Sequence, residues 1–164
     1  ALLRQQTLRA TIDWSYDLLS PAEAALFRCL SVFVGGWTLA AAEQVADRGQ
    51  EHPPTFELLH QLVNKSLIIV DAHDGATRYW MLETIREYAH EKLGEQGEEV
   101  VLRDQHAAYF LQLAEQAEPL LLSAQQQCWY QRLILEQSNF RAALHWWQTN
   151  HHYVQVARLG AALC

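Results

Sequence analysis

Two Glu-x-x-His pairs, Glu57 with His60 and Glu87 with His90, have the spacing with which helical bundles bind two metal ions. Such a site also needs a lone glutamate from each of two further helices. The two pairs here fall on different kinds of element, so they do not form the set that a di-metal site requires. We interpret both pairs as solvated helix faces.

Three further histidines, His145, His151 and His152, could bind a metal at the surface. They stand near a helix end beside Asn150, where histidines are more often exposed polar side chains. We therefore expect no metal site in the chain.

The segment LIIVD, residues 67–71, has the form of a Walker B strand, with Asp71 after four apolar residues. The chain has no Gly-x-x-x-x-Gly-Lys phosphate loop, so a nucleoside triphosphate would lack its backbone cradle. It also has no Gly-x-Ser-x-Gly nucleophile elbow and no Cys in a recognisable reactive motif. We predict that this chain is not an enzyme and holds no cofactor, and that Asp71 starts the turn of a hairpin.

The composition describes an acidic chain of 164 residues with 12 Lys and Arg against 19 Asp and Glu. Its Lys and Arg residues are scattered singly, so no basic stripe is available to neutralise phosphates. Charged or amide side chains interrupt every apolar run before it reaches the length of a membrane span. We therefore expect a cytoplasmic protein that contacts no membrane and binds no nucleic acid directly.

The first half of the chain has the order of a winged helix. Ser20 and Glu23 have the spacing of a capping box, Thr38 can cap a short helix, and another helix runs over about residues 55–65. LIIVD and RYWML are then two strand-like runs joined by the polar turn AHDGAT. Helices followed by a hairpin are typical of this fold.

The second run of the hairpin passes almost directly into a helix at RYWMLETIREYAHEKL. Thr84 and Glu87 have capping-box spacing, which places the helix start at Thr84 and leaves Met81, Leu82 and Glu83 on the joint. A joint this short suits an active-site turn, a DNA-binding wing, or a switch that senses a ligand held by a neighbouring domain.

The stretch GEQGEE is the best domain boundary, because it is short and charged and contains two glycines. We predict a winged-helix domain at residues 1–94 and a helical domain at residues 95–164. Ala108 and Ala142 lie 34 residues apart, the tetratricopeptide period, which favours the beginning of a TPR-like array. The predicted fold class is mainly α: helices with a two-stranded β-hairpin, then α-helical hairpins. The chain starts at Ala1 and stops within an apolar helical pattern, so we expect a fragment of a longer protein.

DNA binding would fall to the helix before the hairpin, TFELLHQLVNKS, because this helix of a winged helix commonly enters the major groove. Lys65 is its only full positive charge, and Glu57 opposes it. A helix that reads the groove normally needs several Arg, Lys, Asn or Gln side chains. We favour a protein-packing role and keep a stand-alone DNA-binding winged-helix regulator with a helical dimerisation tail as the alternative.

The stretch SYDLLSPAEAALFRCLSVFVGGWTL resembles the winged-helix segment of NB-ARC type STAND ATPases, in which a Ser-Tyr-Asp-x-Leu helix precedes a Phe-rich helix and a Ser-x-Phe turn. The matching positions are Ser15, Tyr16, Asp17, Leu19, Phe27, Ser31 and Phe33. TLRATIDWSYDLL, LVNKSLIIV, RYWMLETIREYA and HAAYFLQLAEQAEP are similar to the bacterial branch, the LuxR-type or AfsR-like regulators. The resemblance covers nearly the whole chain.

The resemblance implies an upstream nucleotide-binding domain of the same protein, which binds ATP or ADP, and a downstream superhelix of helical repeats, which receives an unknown inducer. The chain would then be a regulatory and protein-interaction module that couples nucleotide state to ligand sensing, in transcription regulation. Eukaryotic members carry Met-His-Asp at the strand-to-helix joint, where the His contacts the ADP phosphate.

The joint residues that match this motif are Met81, Leu82 and Glu83. Leu82 departs from the pattern, because an apolar side chain cannot hydrogen-bond to a phosphate. We expect Leu82 either to pack in the local core or to face the nucleotide-binding domain.

Overall fold

The computed structural model describes residues 2–47, 53–73 and 76–163, which form two compact units. The first unit comprises residues 1–31 and 38–99, and the second comprises residues 32–37 and 100–164. Residues 32–37, which lie inside the winged-helix domain predicted from the sequence, therefore group with the helices that follow. The predicted domains at 1–94 and 95–164 stay a prediction.

The first unit consists of helices around one antiparallel hairpin. Its elements are α1 Leu2–Asp17, α2 Pro21–Leu30, α3 Leu39–Ala46, α4 Thr55–Asn64, β1 Ile69–His73, β2 Ala76–Trp80 and α5 Glu83–Glu95. Helix α2 packs against α3, α4 and α5, and its side chains Leu26, Phe27 and Leu30 are buried there. The predicted fold class, a mainly helical chain with a two-stranded hairpin and further helices after it, is confirmed.

The helix starts at α2 and α3 follow from their first residues. The Ser20 hydroxyl accepts a hydrogen bond from the Glu23 backbone N–H, and the Glu23 carboxylate accepts one from the Ser20 N–H at 2.6 Å. Thr38 accepts from the Ala41 N–H at 3.2 Å. Both predicted caps are confirmed, because each supplies a partner to a backbone donor that the first turn leaves unpaired.

The predicted start of α5 at Thr84 is wrong. The helix begins at Glu83, and Leu82 occupies the N-cap position without a side-chain hydrogen bond. The Leu82 carbonyl accepts from the N–H groups of Ile85 and Arg86, both at 2.9 Å, so helical hydrogen bonding starts one residue earlier than predicted. Glu83 suits the first turn, since its carboxylate accepts a hydrogen bond from Arg86 Nε at 3.0 Å.

The strands of the hairpin are shifted from the predicted runs. Ile69 pairs with Trp80 and Asp71 with Arg78, so the ladder lies two residues farther toward the turn than LIIVD and RYWML indicate. The reason is that the first residues of the apolar run, Leu67 and Ile68, are buried before β1 begins. Asp71 therefore lies within β1 and does not start the turn. The turn residues 74 and 75 lie outside the described residues.

The second unit is helical in its described residues. Its elements are α6 Glu99–Ala117, a 3₁₀ helix Glu118–Leu122, α7 Gln126–Leu135, α8 Gln137–Thr149 and α9 Tyr153–Ala162. Helix α8 packs against α7 and α9. Phe33 and Phe110 make an edge-to-face contact with ring centroids 6.2 Å apart, so the loop of residues 32–37 contributes to this core.

A buried polar cluster fixes the loop of residues 32–37 within the second unit. Asn139 Oδ1 accepts from the Val34 N–H at 2.8 Å, and Asn139 Nδ2 donates to the Gly36 carbonyl at 2.9 Å. His106 Nε2 lies 3.1 Å from the same Oδ1. Burial lowers the pKa of His106 to about 4, and the positive charge of Arg103 contributes, although the hydrogen bond with Asn139 acts in the opposite direction. The His106 ring is therefore neutral near pH 7.

Candidate nucleic-acid interface

Helix α4 is placed by its own apolar spacing. Pro54 precedes it, and the Pro54 carbonyl accepts hydrogen bonds from the first turn. The side chains of Thr55, Leu58, Leu59 and Leu62 are buried, at the i, i+3, i+4 and i+7 positions of one helical face. That face packs against α2 and α3, so the opposite side of α4 points to solvent.

The exposed side of α4 carries five side chains, which we call the α4 face: Phe56, Glu57, His60, Gln61 and Asn64. At about 100° per residue they fill one arc of about 140°. Gln and Asn amides offer the donor and acceptor that adenine N7 and N6 require, a carboxylate can accept from cytosine N4, and an apolar group can contact the thymine methyl. The α4 face therefore has the chemistry to read base edges in the major groove.

An ion pair anchors the end of α4. Lys65 Nζ lies 2.6 Å from Glu23 Oε1 of α2, and the Glu23 side chain is buried. Burial alone would raise the pKa of Glu23, but the hydrogen bonds from Lys65 and Ser20 keep it below its ordinary value. Lys65 thus holds α4 against α2 and is not presented to a phosphate.

Other cations of the first unit are also paired with carboxylates. Arg9 pairs with Glu91, Arg28 with Glu98, Arg86 with Glu83 and Lys92 with Glu95. A cation that is already neutralised by a neighbour releases fewer counterions when it approaches a phosphate. These pairs therefore reduce the contribution of Arg9, Arg28, Arg86 and Lys92 to any affinity for DNA.

The joint residues Met81, Leu82 and Glu83 do not converge on one site. Met81 is 9% exposed and Leu82 is 54% exposed, so the joint after β2 buries one side chain and exposes the next. The exposure of Leu82 rules out its placement in the local core. The hydrogen bond from Arg86 lowers the pKa of Glu83 despite some burial, and Arg86 also donates to the Ser31 carbonyl at 3.2 Å. A role of these residues in nucleotide sensing stays a prediction.

Two kinds of site are not found in the part of the chain that the structure describes. No group of three or more His, Cys, Asp or Glu side chains in residues 2–47, 53–73 and 76–163 could hold a metal ion. The expectation that the two Glu-x-x-His pairs fall on different kinds of element is wrong, because they lie on the helices α4 and α5. His90 Nε2 of the second pair lies 3.3 Å from Glu99 Oε1. None of the helices within those ranges has the length and apolar character needed to cross a membrane.

Comparison with known proteins finds a family that matches the region containing α4. The family model described as a winged helix-turn-helix domain matches residues 19–94. These residues are similar to that family. The matched region contains α2, α3, α4, the hairpin and most of α5, and thus the α4 face.

The curated relatives are mycobacterial and much longer. The chain is 44% identical over 170 residues, which cover 99% of it, to "Putative HTH-type transcriptional regulator Mb0914c" of Mycobacterium bovis. The protein Rv0890c of Mycobacterium tuberculosis has the same description and the same identity and coverage. The chain spans 18% of the length of these relatives. It is also 41% identical over 100 residues, 60% of the chain and 25% of the relative, to an uncharacterized protein of M. bovis. No solved structure matches the chain.

The prediction that the chain has no direct nucleic-acid partner is wrong. The helix-turn-helix domain and the relatives named as transcriptional regulators both point to DNA binding. The prediction depends on the acidic net charge and on Lys65 as the only full positive charge of the helix before the hairpin. Charge governs non-specific attraction to phosphates but not the reading of bases. The sequence signal for this interface is the helical spacing of the leucines in TFELLHQLVN. It leaves His60, Gln61 and Asn64 together on the other side of α4.

Proposed function

We propose that the chain is the DNA-binding winged-helix module of a transcription regulator, with the α4 face placed in the major groove. The observation that carries this proposal is the grouping of His60, Gln61 and Asn64 on the exposed side of α4, in the helix that precedes the hairpin. The family match of residues 19–94 and the names of the relatives, which describe transcriptional regulators, support it. The module would act in the cytoplasm, where bacterial DNA lies.

The dimensions and support of α4 fit this role. A helix of ten residues is about 15 Å long, and the major groove is about 12 Å wide, which admits one α-helix. The buried stripe of α4 and the pair of Lys65 with Glu23 hold the helix against α2, so the backbone from which its exposed side chains project is supported. Precise base contacts require such support. The hairpin follows α4 after four residues, as the wing does in this fold.

The test is binding of the chain to a pool of duplex DNA at low salt, followed by fluorescence anisotropy. His60→Glu places a second carboxylate on the α4 face and should weaken binding by about tenfold or more through repulsion from the DNA. His145→Glu adds the same charge at an exposed histidine of α8 and is the matched control. Equal weakening by both variants, or no binding by the unchanged chain, would contradict the proposal.

A second candidate function is coupling to a nucleotide-binding domain of the same protein. The observation that favours it is Leu82, an exposed leucine at an N-cap position, where Ser, Thr, Asp or Asn is strongly preferred. A residue that is unfavourable at its N-cap position and gains no local contact in exchange is expected at a functional surface. We propose that Leu82 contacts an upstream domain that binds ATP or ADP, and that the second unit begins a TPR-like array that receives an inducer.

This second proposal is tested in the full-length protein. Leu82→Ser should change the rate at which bound ADP is released, because it would weaken the contact between the joint and the nucleotide-binding domain. Leu18→Ser is the matched control, since Leu18 is 56% exposed and precedes α2. Unchanged ADP release in Leu82→Ser, or a full-length protein that binds no nucleotide, would refute the coupling.

A further inference from the structure

We infer that Gln61 and Asn64 read adenines in neighbouring base pairs, so that the preferred DNA site contains two adenines at adjacent or next-but-one positions. This inference rests on the proposed function and specifies the sequence that the α4 face recognises.

The spacing of the two amides matches the spacing of base pairs. Gln61 and Asn64 are three residues apart on α4, and both are exposed. Three residues advance about 4.5 Å along a helix and place the two side chains about 60° apart on one side. Successive base pairs are about 3.4 Å apart. The two side chains can therefore enter the same groove and reach neighbouring steps.

The chemistry of the two amides selects adenine. Each amide has a carbonyl acceptor and an NH₂ donor, which can form two hydrogen bonds to adenine N6 and N7. Guanine offers two acceptors at the same edge, N7 and O6, and is matched by Arg or Lys. The α4 face contains neither of these residues. It contains Glu57, which lies one turn before Gln61. The Glu57 carboxylate can accept a hydrogen bond from cytosine N4, but it has no donor for guanine N7 and O6.

The composition of the α4 face also favours DNA over a protein partner. Phe56 is its one large apolar side chain, whereas Glu57, His60, Gln61 and Asn64 are polar. The centre of a protein interface is usually apolar and depleted in charge. A stripe of polar groups that each bear donors or acceptors suits base edges better.

The experiment is selection of bound duplexes from a randomised library by the 164-residue chain, followed by sequencing. We expect enriched sites with two adenines in neighbouring base pairs. Gln61→Ala and Asn64→Ala should each remove the preference for adenine at one of the two positions, a preference of roughly 5- to 150-fold in the unchanged chain. Gln112→Ala removes an exposed helical amide of α6 and should change neither preference.

A further variant guards against loss of folding. Gln61→Arg should change the preference at its position from adenine to guanine, because Arg donates two hydrogen bonds to guanine O6 and N7. An unfolded chain could not produce a new preference.

The outcomes separate this inference from the proposed function. Binding without a sequence preference, or with a preference that Gln61→Ala and Asn64→Ala leave unchanged, overturns the inference and leaves DNA binding intact. Binding to no duplex in the library overturns both.

Discussion

Lys65 Nζ lies 2.6 Å from Glu23 Oε1, so one ion pair ties the end of α4 to the first turn of α2. The same carboxylate accepts the hydrogen bond from the Ser20 N–H that completes the capping box. Glu23 therefore serves two elements at once: it starts α2 and it holds the helix that we place in the DNA groove.

The two roles of Glu23 can be separated by substitution. Glu23→Gln keeps a side chain that can complete the capping box but loses the charge, and should lower the free energy of unfolding by about 1 kcal/mol. Glu23→Ala loses both and should cost about 2–3 kcal/mol. Urea unfolding of the two variants measures the difference. Equal costs would show that the ion pair and the cap cannot be separated in this way.

Glu23 also predicts a response to acid. The pKa of its carboxyl is below the ordinary value of 4.5 in the folded chain. The stabilisation is therefore present above that value and is lost as the pH falls through the folded pKa. Urea unfolding below pH ~4.5 should show a smaller loss of stability in Glu23→Gln than in the unchanged chain.

His106 predicts a separate pH dependence at higher pH. Its pKa is lowered from 6.5 to about 4 by burial, so the unfolded chain binds a proton that the folded chain excludes. Between pH ~7 and pH ~5 the free energy of unfolding should fall by about 2 kcal/mol. His106→Gln should remove most of this dependence, and His145→Asn, at an exposed histidine, should retain it. If His145→Asn lost the pH dependence and His106→Gln retained it, the prediction that His106 causes this dependence would be wrong.

The exposed N-cap of α5 predicts a stabilising substitution. Leu82 has φ −61° and ψ 143°, the extended backbone that an N-cap requires, but its side chain cannot accept a hydrogen bond. Leu82→Ser should raise the free energy of unfolding of this chain by about 0.5–1 kcal/mol, since the lost apolar contact is small at this exposure. Thermal unfolding compares it with Leu18→Ser, which should give no gain. A large destabilisation by Leu82→Ser would mean that Leu82 belongs to the local core.

The paired cations predict weak dependence of DNA binding on salt. Arg9, Lys65 and Lys92 each have a carboxylate partner, which reduces the positive charge that these three side chains offer to phosphates. The slope of log K against log salt should lie between about −1 and −2, as for one or two phosphate contacts. Anisotropy titrations at several salt concentrations measure this slope. A slope steeper than about −5 would contradict this expectation, because it would require about five or more phosphate contacts.

The sequence predicts those features that local residues determine. Ser20 with Glu23 and Thr38 give the starts of α2 and α3, because capping depends on residues within one turn. The strand bounds are shifted because LIIVD is one apolar run, and nothing local divides the buried pair Leu67 and Ile68 from the strand that follows.

Features that depend on distant contacts could not be predicted from local patterns. Asn139 binds the backbone of Val34, 105 residues away, and so draws residues 32–37 into the second unit. The sequence does not predict the α4 face for a different reason: the interpretation depends on Lys65, the single full positive charge of TFELLHQLVNKS, and gives no weight to the neutral amides Gln61 and Asn64. The spacing of the buried side chains of α4 is the pattern that places both amides on the opposite, exposed side.

The most direct test of DNA binding through the α4 face is titration of the ¹⁵N-labelled chain with a selected duplex, followed by NMR. We expect the largest changes in amide chemical shift at residues 55–64 of α4 and smaller changes in the hairpin, with little change in α6 to α9. Changes confined to other elements, with the α4 amides unaffected, would contradict the account.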